Sequence, residues 1–268
     1  MCGRYAATAD PAALAAELDE WERESGVGAG EVSIDEPDAD APPSYNVAPT
    51  TQILTVVRRH DDSSDDAPVH TRIRRMRWGL IPHWAKAAEP GVPAKGRPLF
   101  NARADTAATT ASFRVSLAHK RCLIPMDGWY EWLTEPSPDA PAKGKGKAVK
   151  VPFYMTPLDG SRLYAAGLWS VWRDKAAGDS AKPLLSCTIL TTDAIGDTAR
   201  IHDRMPLVLP RRSWAQWLDP DRPAPQRLLD AADPDLVAGL DVRQVATAVN
   251  NVRNNTPDLT DRVDDLRP

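Results

Sequence analysis

Chemistry is offered first by Cys2. Removal of Met1 ahead of a small second residue is ordinary processing, and it would leave Cys2 with an amine and a thiol on adjacent carbons. Their ordinary pKa values, about 8 and about 8.5, give both groups a reactive fraction at neutral pH. The amine of such a 1,2-aminothiol condenses with an aldehyde to a Schiff base, and the thiol then closes a five-membered thiazolidine. An internal cysteine can do neither. The other chemistry open to Cys2 is that of an N-terminal-nucleophile amidohydrolase, with the thiol attacking and its own amine as base. A second codon without chemical meaning is the remaining reading.

Glu131 stands in the aromatic run Gly128-Trp129-Tyr130-Glu131-Trp132. A carboxylate kept from water there has a raised pKa, suited to proton transfer near neutrality. Both neighbours are large aromatics, so alternation leaves open whether Glu131 faces inward or toward solvent. His202 and Arg204 lie two apart in Ile201-His202-Asp203-Arg204-Met205-Pro206, on one side of an extended backbone. The histidine can shuttle a proton and the arginine can hold a phosphate. A purely structural histidine fits the same spacing.

These residues need elements to hold them. Asp10-Pro11 supplies an N-cap and a first-turn proline, and Leu14, Leu18 and Trp21 recur at helical spacing, so a helix over about 11–24 is expected. Further helices are expected over 106–119, 211–218 and 225–229. Strands are expected over 53–57, 70–78, 121–132, 152–156, 162–170, 184–192 and 241–249. Residues 25–43 read as a loop and 58–69 as a hairpin tip or flexible insertion. Residues 134–150, rich in Pro, Gly and Lys, read as a disordered or mobile excursion. Many short strands without βαβ alternation favour one α+β domain. Its expected core is a mostly antiparallel, barrel-like sheet with peripheral helices. The domain is expected over 1–256, with 257–268 as a C-terminal tail.

The 268 residues are 42% hydrophobic and 26% charged, as in a globular chain. No run of 18 apolar residues is present, so no membrane partner is expected. The N-terminus lacks the basic and apolar regions of a secretory signal. Cys2, Cys122 and Cys187 form no CxxC, which suggests neither a disulfide framework nor a metal site. No cofactor is expected, and a reducing cytoplasm is the default location. The net charge of −4 hides a polarity. Residues 1–70 hold 4 Lys/Arg against 15 Asp/Glu, whereas residues 71–125 hold 11 against 2. That basic block is a candidate surface for a polyanion, or a solvated face with no partner.

Seven ordered motifs resemble the SRAP family, the SOS-response-associated peptidases understood as abasic-site processing proteins. They are MCGRY at 1–5, YNVAPT at 45–50, RWGLIPHWAK at 77–86, NARADT at 101–106, RCLIPMDGWYEW at 121–132, HDRMPLVL at 202–209 and VNNVRNN at 249–255. They span almost the whole chain. The resemblance implies a single β-rich domain with a groove for single-stranded DNA, acting in the DNA-damage response. Single-strand/duplex junctions are expected among its partners, since intact duplex offers no base faces to Trp84, and a monomer is expected. It implies that Cys2 attacks the C1′ aldehyde of a ring-opened abasic site and stays attached to the DNA.

Carried over position by position, Asn101 positions the Cys2 amine, Glu131 is the general acid/base, and His202 assists proton transfer and crosslink reversal. Arg4, Arg103 and Arg204 match DNA-contacting or site-lining positions. Pro49, Trp84 and Thr191 match the nucleotide path. Stacking on aromatics beside phosphate-binding arginines holds single strands without sequence readout. Asp105 departs from the family, which often has Glu there, so a contact it makes can shift. A noncatalytic single-strand binding module and the amidohydrolase are the competing functions.

Overall fold

The first element is β1 (Arg4–Ala7), after which the chain turns into α1 (Pro11–Ser25). Asp10 caps that helix by accepting from the Ala13 N–H at 2.8 Å, and Gly26 closes it with φ 64°. Leu14, Leu18 and Trp21 are buried, as their spacing predicts. Then come β2 (Ser33–Ile34), β3 (Ser44–Val47), β4 (Gln52–His60), β5 (Val69–Trp78), β6 (Ala87–Glu89), β7 (Val92–Pro93) and β8 (Asn101–Arg103). A short α2 (Arg114–His119) precedes β9 (Arg121–Met126), β10 (Gly128–Glu135), β11 (Val149–Pro157), β12 (Leu163–Trp172) and β13 (Leu184–Asp193). The last elements are β14 (Arg204–Pro206), α3 (Trp214–Leu218), α4 (Arg227–Asp230), α5 (Pro234–Ala238) and β15 (Leu240–Gln244). This computed structural model describes residues 2–28, 32–35, 42–61, 67–96, 99–136, 148–176 and 182–263.

Two large sheets carry these strands, apart from β6 and β7, which pair with each other. One has the order β15-β11-β10-β1-β3, the other β14-β13-β12-β9-β4-β5-β2, with β8 added on β13. A parallel pairing of β13 with β5, Ser186 opposite Arg77 and Cys187 opposite Trp78, closes β5-β4-β9-β12-β13 into a barrel. The expected α+β architecture with a mostly antiparallel, barrel-like core is therefore present. Alternate residues divide the barrel's faces. Val57, Met76, Cys122, Ile124, Trp169, Cys187 and Ile189 fill one face. Val56, Ile73, Leu123, Leu168 and Leu190 pack on the other against Leu14, Leu18, Trp21, Trp214 and Trp217.

Three expectations are corrected. The single strand expected over 121–132 is two strands in two sheets, β9 and β10. The chain crosses at Asp127, whose N–H donates to the Ala6 carbonyl at 2.8 Å. A Cβ on Gly128 would collide with the Met155 carbonyl and the Tyr154 ring, so only glycine passes there. The helix expected over 106–119 forms only at 114–119. Before it, the Thr109 and Thr110 hydroxyls both donate to the Thr106 carbonyl, at 3.1 and 2.8 Å, and hold turns instead. The strand expected over 241–249 ends at Gln244, and residues 247–250 form a 3-10 turn.

Two expected loops are shortened. β4 and β5 run to His60 and from Val69, and β10 and β11 run to Glu135 and from Val149. Residues 62–66 and 137–147 lie outside the described residues. Residues 257–262 pack onto the first sheet: Leu259 is buried, and the Thr260 carbonyl accepts from Arg243 Nε at 2.7 Å. Residues 264–268 of the expected tail are outside the described residues.

Candidate active site

The crossing at Asp127 places Glu131. On β10, Trp129 pairs with Tyr5 and Tyr130 with Arg4 in antiparallel register, so Glu131 lies beyond Arg4 on the way to Cys2. Cys2 is fully buried, and its thiol lies 4.0 Å from the Arg4 carbonyl oxygen. Asn101 reaches in from β8 of the other sheet, its Nδ2 donating to the Cys2 carbonyl oxygen at 2.6 Å. Its Oδ1 is buried with no hydrogen-bond partner among the described residues.

Glu131 is 2% exposed, so it faces inward, which alternation left open. Burial pushes its carboxyl up to about 7, opposed by the positive charge of the chain's amino terminus. Burial also raises the Cys2 thiol well above the ordinary thiol range, and the Glu131 charge raises it further. Cys2 and Glu131 thus act on each other electrostatically.

His202 stands in the turn before β14. Its Nδ1 lies 3.0 Å from the Arg204 N–H and 2.7 Å from an Asp203 oxygen. The two contacts need opposite states: the N–H needs a lone pair on Nδ1, the carboxylate needs a proton. Burial lowers the His202 pKa, the amino-terminal charge lowers it further, and Asp203 opposes both. The neutral ring, accepting from Arg204 with its proton on Nε2, is therefore the form near neutrality. Protonation turns Nδ1 into a donor to Asp203. The amino-terminal charge bears on Glu131 and His202 alike.

The residues matched to DNA contacts fall into two groups. Trp84 is 55% exposed, in a turn held by the Trp172 indole N–H donating to the Ala85 carbonyl at 2.8 Å. Arg103 is also exposed, and its guanidinium donates to Asp105 at 3.1 and 2.5 Å. Pro49 is half-buried in the β3–β4 turn, next to Thr50 at φ 80°. That left-handed conformation, rare for a β-branched residue, is held by the Thr50 N–H donating to the Trp78 carbonyl at 2.7 Å. The other group lies deeper, with Arg204 and Thr191 buried and Arg4 half-buried. Arg204 is buried, pairs with Asp193 and donates to the Thr191 carbonyl at 2.6 Å. Thr191 is 1% exposed, across from Arg103 on β8 and Pro206 on β14. Arg4 donates to Asn46 Oδ1 at 2.7 Å and to the Val249 carbonyl at 2.9 Å.

Two residues escaped the sequence reading although both lie in the quoted motifs. Asp203 faces the His202 ring. Asn46, 5% exposed, donates to the carbonyls of Val249, Asn251 and Asn254 and so ties the second motif to the last. The basic block is not one surface. Arg121 within it is buried, with its guanidinium on the carbonyls of Leu117, Ala118, Trp217, Asp219 and Arg222. Among the described residues no group of three His, Cys, Asp or Glu is placed to hold a metal. No helix there is long and apolar enough to cross a membrane.

Comparison with known proteins gives a consistent result. The family model described as SOS response associated peptidase (SRAP) matches residues 1–252. The abasic site processing protein YoqW of Bacillus subtilis (strain 168) is 36% identical over 224 residues, covering 83% of this chain and 88% of its own. The abasic site processing protein HMCES of Xenopus tropicalis is 33% identical over 81% of this chain and 65% of its own. A crystal structure of a Bacteroides thetaiotaomicron protein matches 97% of this chain and 99% of its own with TM-score 0.66, at 24% identity.

Proposed function

The chain belongs to the SOS response associated peptidase family, and we propose that it processes abasic sites in single-stranded DNA by covalent attachment through Cys2. With Met1 removed, the Cys2 amine adds to the C1′ aldehyde of the ring-opened deoxyribose. Loss of one water gives an imine. The thiol sulfur then bonds to the imine carbon, its proton passes to the nitrogen, and a thiazolidine closes. The adduct shields the lesion until it is resolved.

The observation that carries this reading is the convergence of Asn101 and Glu131 on Cys2. A carboxyl titrating near 7 can give a proton to the departing hydroxyl and take one from the thiol at the same pH. The raised thiol pKa fits that order of events, because the sulfur needs a base beside it when it closes the ring. Asn101 holds the backbone that carries both reacting groups. Neutral His202 is a second proton carrier, suited to reopening the adduct. The exposed Trp84 and Arg103 offer a stacking face and a phosphate contact to a single strand. The names of the relatives support abasic sites as the substrate.

The test is incubation with single-stranded abasic DNA, then denaturing electrophoresis and peptide mass mapping. The expected product is a heat-stable adduct on the peptide that begins at Cys2. Acetylating the Cys2 amine should abolish it and leave binding of undamaged DNA in place. Hydrolysis of amides with no adduct on abasic DNA would favour the amidohydrolase.

A further inference from the structure

Toward one end of the barrel the face that carries Val57 and Met76 becomes cationic. Between β4 and β5, Arg59 lies opposite His70, Val57 opposite Arg72 and Thr55 opposite Arg74. These basic side chains therefore share that face. Lys120 joins them from the start of β9, where its carbonyl accepts from the Trp169 N–H at 2.9 Å. The Arg59 guanidinium and the Lys120 ammonium lie 5.8 and 5.5 Å from the centre of the Trp169 ring. Two like charges on one ring repel. Burial and then Arg59 hold the Lys120 ammonium below its ordinary pKa.

Among the described residues counter-charge is short. Asp35 pairs with Arg74 at 2.8 Å, and Asp61 pairs with Arg72 and, at 3.0 Å, with His70. No carboxylate among the described residues pairs with Arg59 or Lys120. The Nε atoms of Arg72 and Arg74 are buried with no acceptor among the described residues. None of these residues belongs to the cluster around Cys2.

We propose that Arg59 and Lys120 on Trp169, with Arg72 and Arg74 beside them, form a second anion-binding surface that holds the phosphodiester backbone of DNA beyond the lesion. The cations are spread over two strands, β4 and β5, and the residue before β9, and alternate residues along β5 stand about 6.8 Å apart. A lone anion is held by a closed cup, whereas a row suits a chain of phosphates. The choice of DNA as ligand rests on the function proposed above.

The test uses undamaged single-stranded oligonucleotides of two lengths, one just spanning the groove around Cys2 and one extended on both sides. Affinity is measured across a salt series for wild type and for Arg59→Gln/Lys120→Gln. For the long strand the double variant should flatten the slope of log affinity against log salt by about 1.4, two contacts at about 0.7 each. For the short strand it should change nothing. Lys120→Arg, which keeps the charge, should retain the wild-type slope, and an unchanged melting temperature reports intact folding. Equal effects on both lengths, or none on either, overturn the surface. Undamaged DNA makes the result independent of covalent chemistry. Failure to crosslink abasic DNA together with the length-dependent slope would sink the Cys2 mechanism and leave this surface standing.

Discussion

The Asn101 side-chain amide donates to the Cys2 carbonyl oxygen at 2.6 Å, and this bond joins β8 of the barrel to the chain entering β1 of the other sheet. It fixes the direction of the Cys2 backbone, and hence where the amine and thiol point. Asn101→Ala should cost about 1 kcal/mol of stability for the lost bond. Crosslinking should slow on the order of 10- to 100-fold, the scale of a misplaced reacting group. Affinity for undamaged single strands should hold. Single-turnover crosslinking beside equilibrium binding checks this, and parallel losses in both would show that Asn101 serves the fold alone.

Glu131 links stability to pH with a definite sign. Its carboxyl titrates near 7 when folded, against 4.5 when unfolded. Between those values the folded chain holds a proton that the unfolded chain lacks. The stability contributed is complete below about pH 4.5 and is lost as pH rises through about 7. Glu131→Gln cannot ionise, so its stability should gain on wild type as pH rises from about 5 to about 8, by about 3 kcal/mol at most, read as a growing difference in Tm. The same variant should slow crosslinking roughly 100- to 10,000-fold with little change in DNA affinity. A Tm difference that stays flat across this range would show that Glu131 is not a buried carboxyl with a raised pKa.

Much of this was legible in the sequence because local signals and tertiary structure agreed. Asp10, Pro11 and the Leu14, Leu18, Trp21 spacing specify α1 without help from the rest of the chain. Four of the motifs hold residues that touch: Asn101 reaches Cys2, and Asn46 reaches Arg4 and Val249. The passage from β9 to β10 was not legible: 121–132 has strand-forming residues throughout, and only the tight approach of Met155 and Tyr154 to Gly128 reveals the crossing. The depth of Arg204 and Thr191 was hidden too, since an arginine in a motif reads the same whether it meets solvent or a carboxylate. Net charge over a window likewise cannot tell a surface cation from Arg121.

Arg121 is a structural cation. Its guanidinium reaches five backbone carbonyls on two segments, including Leu117 at 2.9 Å and Trp217 at 2.6 Å. Arg121→Met fills similar space and leaves those carbonyls without their donor. The expected loss is about 3 kcal/mol or more, from charged hydrogen bonds and stranded acceptors. Crosslinking per folded molecule should be unchanged. Denaturant unfolding measures the first, and a drop in DNA affinity of the folded variant would return Arg121 to the binding surface.

Cys2→Ser separates the two halves of the proposed chemistry. The serine keeps the amine, so an imine with the C1′ aldehyde can form and be trapped by borohydride. The heat-stable adduct should be absent, because no thiol closes the ring. A stable adduct at wild-type yield would remove the thiazolidine from the mechanism.

Trp84 and Arg103 should contribute to DNA binding in physically distinct ways. Trp84 is 55% exposed in a turn anchored by the Trp172 hydrogen bond to Ala85, so its ring can be removed without emptying a core. Trp84→Ala should lose a stacking surface worth about 1–3 kcal/mol per base and leave the salt slope nearly unchanged. Arg103 is held by Asp105, so a phosphate must take the guanidinium from that carboxylate. Arg103→Ala should flatten the slope by about 0.7, one single-strand contact, whatever the base sequence. Asp105→Asn should strengthen binding, because the competing charge is gone while the side chain keeps its shape. Arg204→Ala should differ from both, lowering Tm as well as affinity, since the Asp193 carboxylate and the Thr191 carbonyl lose their donor. Intact duplex offers no base faces to Trp84, so the effect of Trp84→Ala should appear on single strands and junctions and vanish on duplex. Affinities for the three DNA forms across a salt series measure all of this. A Trp84→Ala effect of equal size on duplex would place that ring outside any stacking role.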